Sequence, residues 1–166
     1  MSASLSVSFR QADECDIDFL RALRSSTMRE VVLRHHAWHE EEQNQRVLVS
    51  FDSARVILKD GDAIGLLKVV RESHHFHLIQ IQLLPAFQGR GIGTAVITAL
   101  QEECSALDLP IVLRAYASNR ALALYSRLGF EIVDRSGHAY TMRWEQRRKE
   151  PNQTPEPTAP SGRGSS

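Results

Sequence analysis

Apolar residues recur along the first third of the chain with two different spacings. Every second residue is apolar between Leu5 and Phe9, which predicts a strand with one buried face. Residues 13–24, DECDIDFLRALR, open with acidic residues and continue with apolar residues at helical spacing, which predicts a helix. Residues 28–50 predict one or two further helices, with a break near His36–His39.

The middle of the chain is rich in β-forming residues. Residues 55–70, RVILKDGDAIGLLKVV, predict a hairpin, because the Asp60-Gly61 pair at its centre favours a tight turn. Residues 75–84, HFHLIQIQLL, predict another strand, which stops at Pro85 because proline has no N–H to donate to a sheet.

Helices and strands alternate in the second half. Helices are predicted over residues 91–106 and 119–129, where Gly129 suits a C-terminal cap. Strands are predicted over residues 110–116, 130–135 and 138–144, the last two as an antiparallel pair. This order of elements predicts an α/β (α+β) fold in which helices pack on a mixed sheet.

The last residues have a different composition. Residues 150–166 contain four of the six prolines, together with Ser, Thr and Gly, and almost no residue that could be buried. Such a segment cannot offset the entropy lost on ordering. We therefore expect one domain over residues 1–149 and a disordered tail over residues 150–166.

Charge and cysteine content narrow the functional classes. Basic and acidic residues number 20 each, so no basic excess points to nucleic acid. The two cysteines, Cys15 and Cys104, lie far apart in predicted helices and are expected to be free thiols. No signal peptide or apolar run long enough to span a bilayer is present, so a cytoplasmic location without a membrane partner is expected.

A glycine-rich junction, QGRGIG (residues 88–93), lies between the strand at 75–84 and the next helix. Glycine permits positive φ angles and close approach of a ligand to the main chain. The unpaired N–H groups of a helix's first turn bind phosphate, and Arg90 adds a positive charge. The junction differs from both GxxxxGK[ST] and GxGxxG. On these residues alone it is either a pyrophosphate site or a tight turn.

A second motif, SNRALALYSRLGF (residues 118–130), follows after one predicted strand. The two motifs in this order resemble the Gcn5-related N-acetyltransferase (GNAT) superfamily, and the order of elements agrees from about Leu5 to Trp144. The resemblance implies a mostly antiparallel sheet whose fourth and fifth strands splay apart. It also implies direct transfer of an acetyl group from acetyl-coenzyme A to a primary amine of a small molecule or protein, with no metal and no covalent intermediate.

The resemblance assigns residues to coenzyme A and to the leaving group. Main-chain groups at the strand end and in the loop would hold the cofactor; the residues concerned are Leu83, Leu84, Gln88, Gly89, Arg90, Gly91, Ile92, Gly93, Thr94 and Asn119. Asn119 and Ser118 are equally suited to capping the following helix. Tyr125 matches the general acid that protonates the leaving thiolate, since a phenol is protonated at neutral pH. The alternative is a core tyrosine on an amphipathic helix.

The general base and the acceptor site are less well defined. Strand 75–84 carries no glutamate, and an ungapped count from Gln88 places His77 where histone-modifying members have one. Histidine titrates near neutrality, but an ordinary strand histidine is the alternative. Gln80 and Gln82 are candidates to bind a substrate or hold a water. Trp38 either lines the acceptor site or packs its helix against the sheet.

The sequence also offers a metal site and a non-catalytic function as alternatives. His35, His36 and His39 match neither HExxH nor any spacing that fixes a third ligand, so a polar helix face is favoured over a metal site. A non-catalytic coenzyme A-binding sensor of the same fold is the alternative function, favoured by the missing glutamate and opposed by Tyr125. The closing strands and helix faces could support a homodimer.

Overall fold

The computed structural model describes residues 6–147, which form one seven-stranded sheet in the order β1-β2-β3-β4-β5-β7-β6. The strands are β1 (Ser8–Gln11), β2 (Ala54–Lys59), β3 (Asp62–Arg71), β4 (Phe76–Leu83), β5 (Ile111–Tyr116), β6 (Glu131–Ser136) and β7 (Ala139–Trp144). The helices are α1 (Ile17–Leu33), α2 (Glu40–Leu48), α3 (Ile92–Ala106) and α4 (Ala121–Arg127). The tail expected from residue 150 and the start of the expected first strand at Leu5 lie outside the described residues.

The helices cover the two faces of the sheet in pairs. Helices α1 and α2 pack on one face around a core built from Leu20, Leu23, Val47, Val56 and Leu66. Helices α3 and α4 pack on the other face, around a larger core whose members include Ile64, Leu67, Leu78, Ile97, Leu113 and Tyr125. Strands β2 and β3 therefore contribute side chains to both cores, one from each face of the sheet. The predicted α/β architecture is confirmed.

The elements follow the hydrophobic spacing closely. The predicted hairpin is confirmed as β2–β3, with Asp60 (φ 51°) and Gly61 (φ 86°) at its turn. Helix α1 continues to Leu33, further than the sequence predicted, and the expected break occupies residues 34–39. The closing pair β6–β7 is antiparallel, but β7 lies between β5 and β6 and pairs with both.

The pairing of β4 determines the shape of the functional region. On one side β4 pairs with β3 along its whole length, from Phe76 to Leu83. On the other side it pairs in parallel with β5 at only three positions, the last being Leu78 with Leu113. The β3–β4 register shifts at this point, which leaves Ile79 as an extra residue in β4. Such a bulge bends a strand, and β4 and β5 diverge beyond it, as the resemblance implied.

Across residues 6–147, the four α-helices include none with the length and hydropathy needed to cross a membrane.

Candidate active site

The end of β4 presents main-chain polar groups to the opening between β4 and β5. Successive residues of a strand direct their N–H and C=O groups to opposite sides. The N–H of Leu84 donates to the carbonyl of Ile64 on β3 at 2.8 Å, so residues 81 and 83 direct their main-chain N–H and C=O groups away from β3. The main-chain groups of Ile81 and Leu83 therefore face the opening. Sequence reasoning missed Ile81, although its spacing of two from Leu83 was a usable signal.

The two predicted leucines are not equivalent. Leu84 uses both main-chain groups internally, because its carbonyl also accepts from the N–H of Phe87 at 2.8 Å. The carbonyl of Leu83 accepts a 2.9 Å hydrogen bond from Nε2 of Gln88. The amide side chain that begins the glycine-rich loop thus reaches back to the last residue of β4 and fixes the entry of the loop.

The loop leaves an open helix N-terminus. Gly91, in the left-handed conformation (φ 78°), caps α3 without any side-chain hydrogen bond. The first helical N–H to find a partner is that of Ala95, which donates to Gly91 at 3.0 Å. Among the residues described, the N–H groups of Ile92, Gly93 and Thr94 have none. Three N–H groups and the positive end of α3 together suit an anion.

The other loop residues extend this surface. Gly89 also has a positive φ angle, of 70°, and is exposed. Arg90 is exposed, with its guanidinium 5.7 Å from the centre of the Phe87 ring, and adds positive charge. The side chain of Ile92 is buried in the core, so this residue can contribute only main-chain groups.

Close packing of two helices places Tyr125. A Cβ on Gly93 would lie 3.3 Å from Cδ2 of Leu124, so the glycine lets α4 sit against the first turn of α3. Tyr125 is 6% exposed and packs against Phe130, and burial raises the pKa of its phenol to about 12. Its hydroxyl has no hydrogen-bond partner in residues 6–147. Every side-chain polar atom there that lacks a partner is accessible to solvent. The hydroxyl is therefore a protonated donor that is accessible to solvent.

The predicted polar residues of β4 lie on the opposite face, below α1 and α2. Gln80 is opposite Lys68, Gln82 is opposite Leu66, and His77 is opposite Val70. Nδ1 of His77 lies 3.7 Å from a carboxylate oxygen of Glu72. The amide groups of the two glutamines have no hydrogen-bond partner in the part of the chain described, and neither is sealed.

A cavity of about 410 Å³ opens on this same face. It is lined by residues from the end of α1, the following loop, α2 and the last residue of β5: Val32, His36, Ala37, His39, Glu42, Gln43, Arg46 and Tyr116. Tyr116 places the cavity at the end of β5, where that strand has diverged from β4. Trp38 is not among the lining residues. Its indole N–H donates to Glu40 at 2.8 Å and its ring packs under Arg29.

A buried arginine stands beside this cavity. Arg24 is 6% exposed, and its Nε donates a 2.8 Å hydrogen bond to the side-chain oxygen of Gln43. Burial is the main cause that lowers the pKa of Arg24 to about 10; Arg46 lowers it further, while Tyr116 and Glu42 raise it. Sequence reasoning missed Arg24, although its spacing of four from Leu20 puts a charge on the buried stripe of α1.

A histidine cluster lies beside the cavity, which it meets through His36 and Tyr116. Nε2 of His35 lies 2.7 Å from Oγ of Ser118, and its ring stacks on Tyr116 and His138 with centroids 5.2 and 4.7 Å away. The cluster joins the end of α1 to the β5–α4 loop and the β6–β7 turn. The pKa of His35 is lowered by burial first, then by His138 and His36. Across residues 6–147 no group of side chains is arranged to hold a metal ion.

The start of α4 is stabilised locally. The side-chain oxygen of Asn119 accepts a 2.9 Å hydrogen bond from the N–H of Ala121, the first residue of the helix. Asn119 thus makes a capping contact, and Ser118 is engaged by His35.

Comparison with known proteins agrees with this geometry. The family model described as "Acetyltransferase (GNAT) family" matches residues 17–130, which include the splayed strands, the open helix N-terminus and Tyr125. The chain belongs to the GNAT acetyltransferase family. No curated protein matches the sequence.

Solved GNAT-like structures share the fold at low sequence identity. The PaiA N-acetyltransferase of Thermoplasma acidophilum, solved with coenzyme A, is 14% identical with a TM-score of 0.68, over 86% of this chain and all of its own. Ard1 of Thermoplasma volcanium is 18% identical, with a TM-score of 0.64, over 87% of this chain and all of its own. An acetyltransferase of Thermus thermophilus is 18% identical, with a TM-score of 0.66, over 86% of this chain and 98% of its own.

Proposed function

We propose that this GNAT protein transfers the acetyl group of acetyl-coenzyme A directly to a primary amine of a small molecule or protein. The observation that carries the proposal is the opening between β4 and β5, which ends at the N-terminus of α3, where no side chain caps the helix. An extended chain with an anionic end fits this combination, because strand-like main-chain donors and a phosphate-binding helix end lie next to each other.

The residues present fit coenzyme A. The N–H groups of Ile92, Gly93 and Thr94 would hold the pyrophosphate, with Arg90 adding charge. The main-chain groups of Ile81 and Leu83 would bind the pantetheine as an added strand would. Acetyl-coenzyme A supplies the acetyl group already activated as a thioester. The donors are fixed by the fold before any ligand binds, which lowers the cost of binding.

Proton transfer is divided between the two faces of the sheet. Tyr125 holds a proton on the α3–α4 face and would donate it to the leaving thiolate. The acceptor amine would enter from the α1–α2 face, where His77, Gln80 and Gln82 lie. His77 is four residues from Ile81, about 13 Å along an extended strand. As a base it would therefore receive the amine's proton through water, which Gln80 or Gln82 would position.

A coenzyme A-binding protein without turnover is the second candidate. It is favoured by the composition of β4, FHLIQIQL, which contains no carboxylate to act as a base. The two candidates share a binding site and differ only in whether an amine releases free thiol.

The first experiment titrates acetyl-coenzyme A and coenzyme A into the wild type and Gly91→Glu by calorimetry. We expect micromolar binding to the wild type and at least a tenfold weaker affinity in the variant, because the carboxylate would stand where the pyrophosphate binds. Gly61→Glu is the matched control, since it places the same residue at a positive-φ glycine in a remote turn. Equal binding to all three proteins would refute the loop as the site.

Thiol release with a panel of amines then separates the two functions. Release above background, reduced in Tyr125→Phe, supports the transferase. Binding of coenzyme A without release for any amine supports the sensor. No binding to folded wild-type protein would refute both.

A further inference from the structure

Within residues 6–147, two buried cations on the α1–α2 face have no acidic partner. Arg24 is 6% exposed and Lys68 is fully buried, yet neither forms an ion pair with any residue in the range 6–147. Buried charges in proteins are normally paired. The buried carboxylate of Asp16 follows this rule, because Arg10 binds both of its oxygens at 2.7 and 2.8 Å. The unpaired cations therefore need an explanation.

Main-chain carbonyls around Lys68 stabilise its buried ammonium group. Its Nζ donates to three main-chain carbonyls at the end of α2: Arg46 at 3.4 Å, Val47 at 3.0 Å and Val49 at 2.7 Å. These groups carry the partial negative charge of a helix C-terminus. All three ammonium hydrogens have an acceptor, so Lys68 requires no further partner.

The hydrogen-bond donors of Arg24 are only partly used. A guanidinium has five N–H donors, and only the Nε of Arg24 has an acceptor among residues 6–147. Its two terminal nitrogens have no acceptor among these residues. Every side-chain polar atom of this region that lacks a hydrogen-bond partner is accessible to solvent. The terminal nitrogens are therefore accessible to solvent.

The 410 Å³ cavity lies next to Arg24, although Arg24 is not among its lining residues. Gln43, which holds the Nε of Arg24, lines this cavity. The titratable neighbours that act on the pKa of Arg24 are Arg46, Tyr116 and Glu42, and all three also line it. Glu42 forms its ion pair with Arg46, at 3.0 Å, rather than with Arg24.

We infer that the acceptor amine carries a carboxylate, which enters through this cavity and binds to the two terminal nitrogens of Arg24 behind its lining. A carboxylate accepts two parallel N–H bonds from a guanidinium, and the planar fork of arginine fits it better than lysine does. Gln43 orients the fork from the other side. This inference rests on the proposed acetyltransferase function and narrows its substrates to free amino acids and other aminocarboxylates small enough for the cavity.

A matched set of acceptors tests the inference. Thiol release from acetyl-coenzyme A is measured with free L-amino acids, their α-amides and the corresponding decarboxylated amines. We expect kcat/KM to be at least tenfold higher for an amino acid than for its amide or its decarboxylated counterpart. Equal values, or a preference for the neutral compounds, would overturn the inference.

Variants of Arg24 separate recognition from structure. Arg24→Met should remove the preference by raising KM for the carboxylate substrate more than it lowers kcat, and Arg24→Lys should restore it only in part. Arg21→Met is the control, because Arg21 is an exposed cation of the same helix. A variant that lowers kcat equally for charged and neutral acceptors would assign Arg24 a structural role alone.

A second measurement decides the case in which no acceptor of the panel reacts. The melting temperatures of the wild type and Arg24→Met are compared in sodium acetate, sodium propionate and sodium chloride of equal ionic strength. We expect the carboxylates to stabilise the wild type and not the variant, because a ligand of the native state raises its melting temperature. No carboxylate-specific stabilisation would overturn the inference. Calorimetry with acetyl-coenzyme A reports separately on the proposed function.

Discussion

Gln88 and Leu83 are joined by a 2.9 Å hydrogen bond that ties the glycine-rich loop to the end of β4. The acceptor, the Leu83 carbonyl, faces the opening in which we propose that pantetheine binds. We expect Gln88→Ala to weaken acetyl-coenzyme A binding about three- to tenfold, because a neutral hydrogen bond is worth about 0.5–1.5 kcal/mol. Calorimetry measures the change. Tighter binding in the variant would instead mean that Gln88 must release Leu83 before the ligand enters.

Tyr125→Phe should separate the chemical step from binding. The ring and its contact with Phe130 are kept, so we expect little change in acetyl-coenzyme A affinity. A positioned general acid contributes about 10²–10⁴-fold, so kcat should fall at least a hundredfold.

The pH profile gives an independent check on Tyr125. Because its pKa is raised to about 12, the phenol keeps its proton at all lower pH values, and its loss cannot cause a decline in rate near pH 8 or 9. A decline in that range that disappears in Tyr125→Phe would contradict the assignment.

His77→Gln tests the proposed base. If His77 accepts the proton of the amine, the variant keeps its affinity for acetyl-coenzyme A while its kcat, measured by thiol release, falls. His75→Gln is the matched control, since His75 lies beside His77 and also contacts Glu72. An unchanged kcat in His77→Gln would mean that the amine loses its proton to solvent.

Gly65 lies in β3 where the neighbouring strand β4 leaves no room for a side chain. A Cβ here would lie 2.3 Å from the main-chain oxygen of Gln82 and 2.9 Å from Cδ2 of Leu83. We expect Gly65→Ala to cost about 3 kcal/mol of unfolding free energy, because a main-chain atom cannot move aside cheaply. Displaced Leu83 groups should also weaken acetyl-coenzyme A binding.

Urea unfolding and calorimetry measure both effects of Gly65→Ala. Gly61→Ala serves as the comparison, because its Cβ would meet nothing within 4 Å. It should cost only about 1–2 kcal/mol for its left-handed backbone and leave binding intact. Equal losses in the two variants would show that the β3–β4 contact is unimportant.

Lys68 should make stability depend on pH in the alkaline range. Burial, followed by the charge of Arg24, lowers its pKa from 10.5 to about 8. Between these values Lys68 is neutral in the folded protein and charged in the unfolded one, so unfolding takes up a proton. The free energy of unfolding contributed by this group therefore rises with pH from about 8 to about 10.5.

The comparison that isolates this effect is the wild type against Lys68→Met, unfolded in urea at several pH values. Other alkaline groups, such as Cys104 and Tyr125, titrate in both proteins and cancel in the difference. The difference should rise through this window in favour of the wild type. If Lys68→Met does not fold, Lys68→Gln replaces it. A difference that stays constant with pH would contradict the lowered pKa.

The sequence predicted those parts of the site that are formed by residues close together in the chain. The hairpin, the glycine-rich junction and the helix that carries Tyr125 each have a signature within a few residues. Even the divergence of β4 and β5 leaves a trace, because apolar alternation changes phase at the adjacent pair Leu78 and Ile79, where the bulge lies.

The partners of the buried charges on the α1–α2 face could not be predicted in the same way. Arg24 lies at helical spacing from Leu20, and Lys68 lies within an apolar run, but the packing of α1 and α2 on β3 determines which groups they meet. The roles of Gln43 and Tyr116 likewise depend on contacts between elements far apart in sequence. Such tertiary contacts override local pattern because they are formed by partners that the pattern does not contain.

The position of β7 affects the stage of synthesis at which the polypeptide can first bind coenzyme A. β5 has three pairs with β4 and six with β7, so one wall of the opening depends mainly on β7. A chain synthesised only as far as α4 contains the glycine-rich loop, but that wall of the opening still lacks its main support. We therefore expect chains truncated before β7 not to bind coenzyme A, and the affinity to appear only once β7 is present.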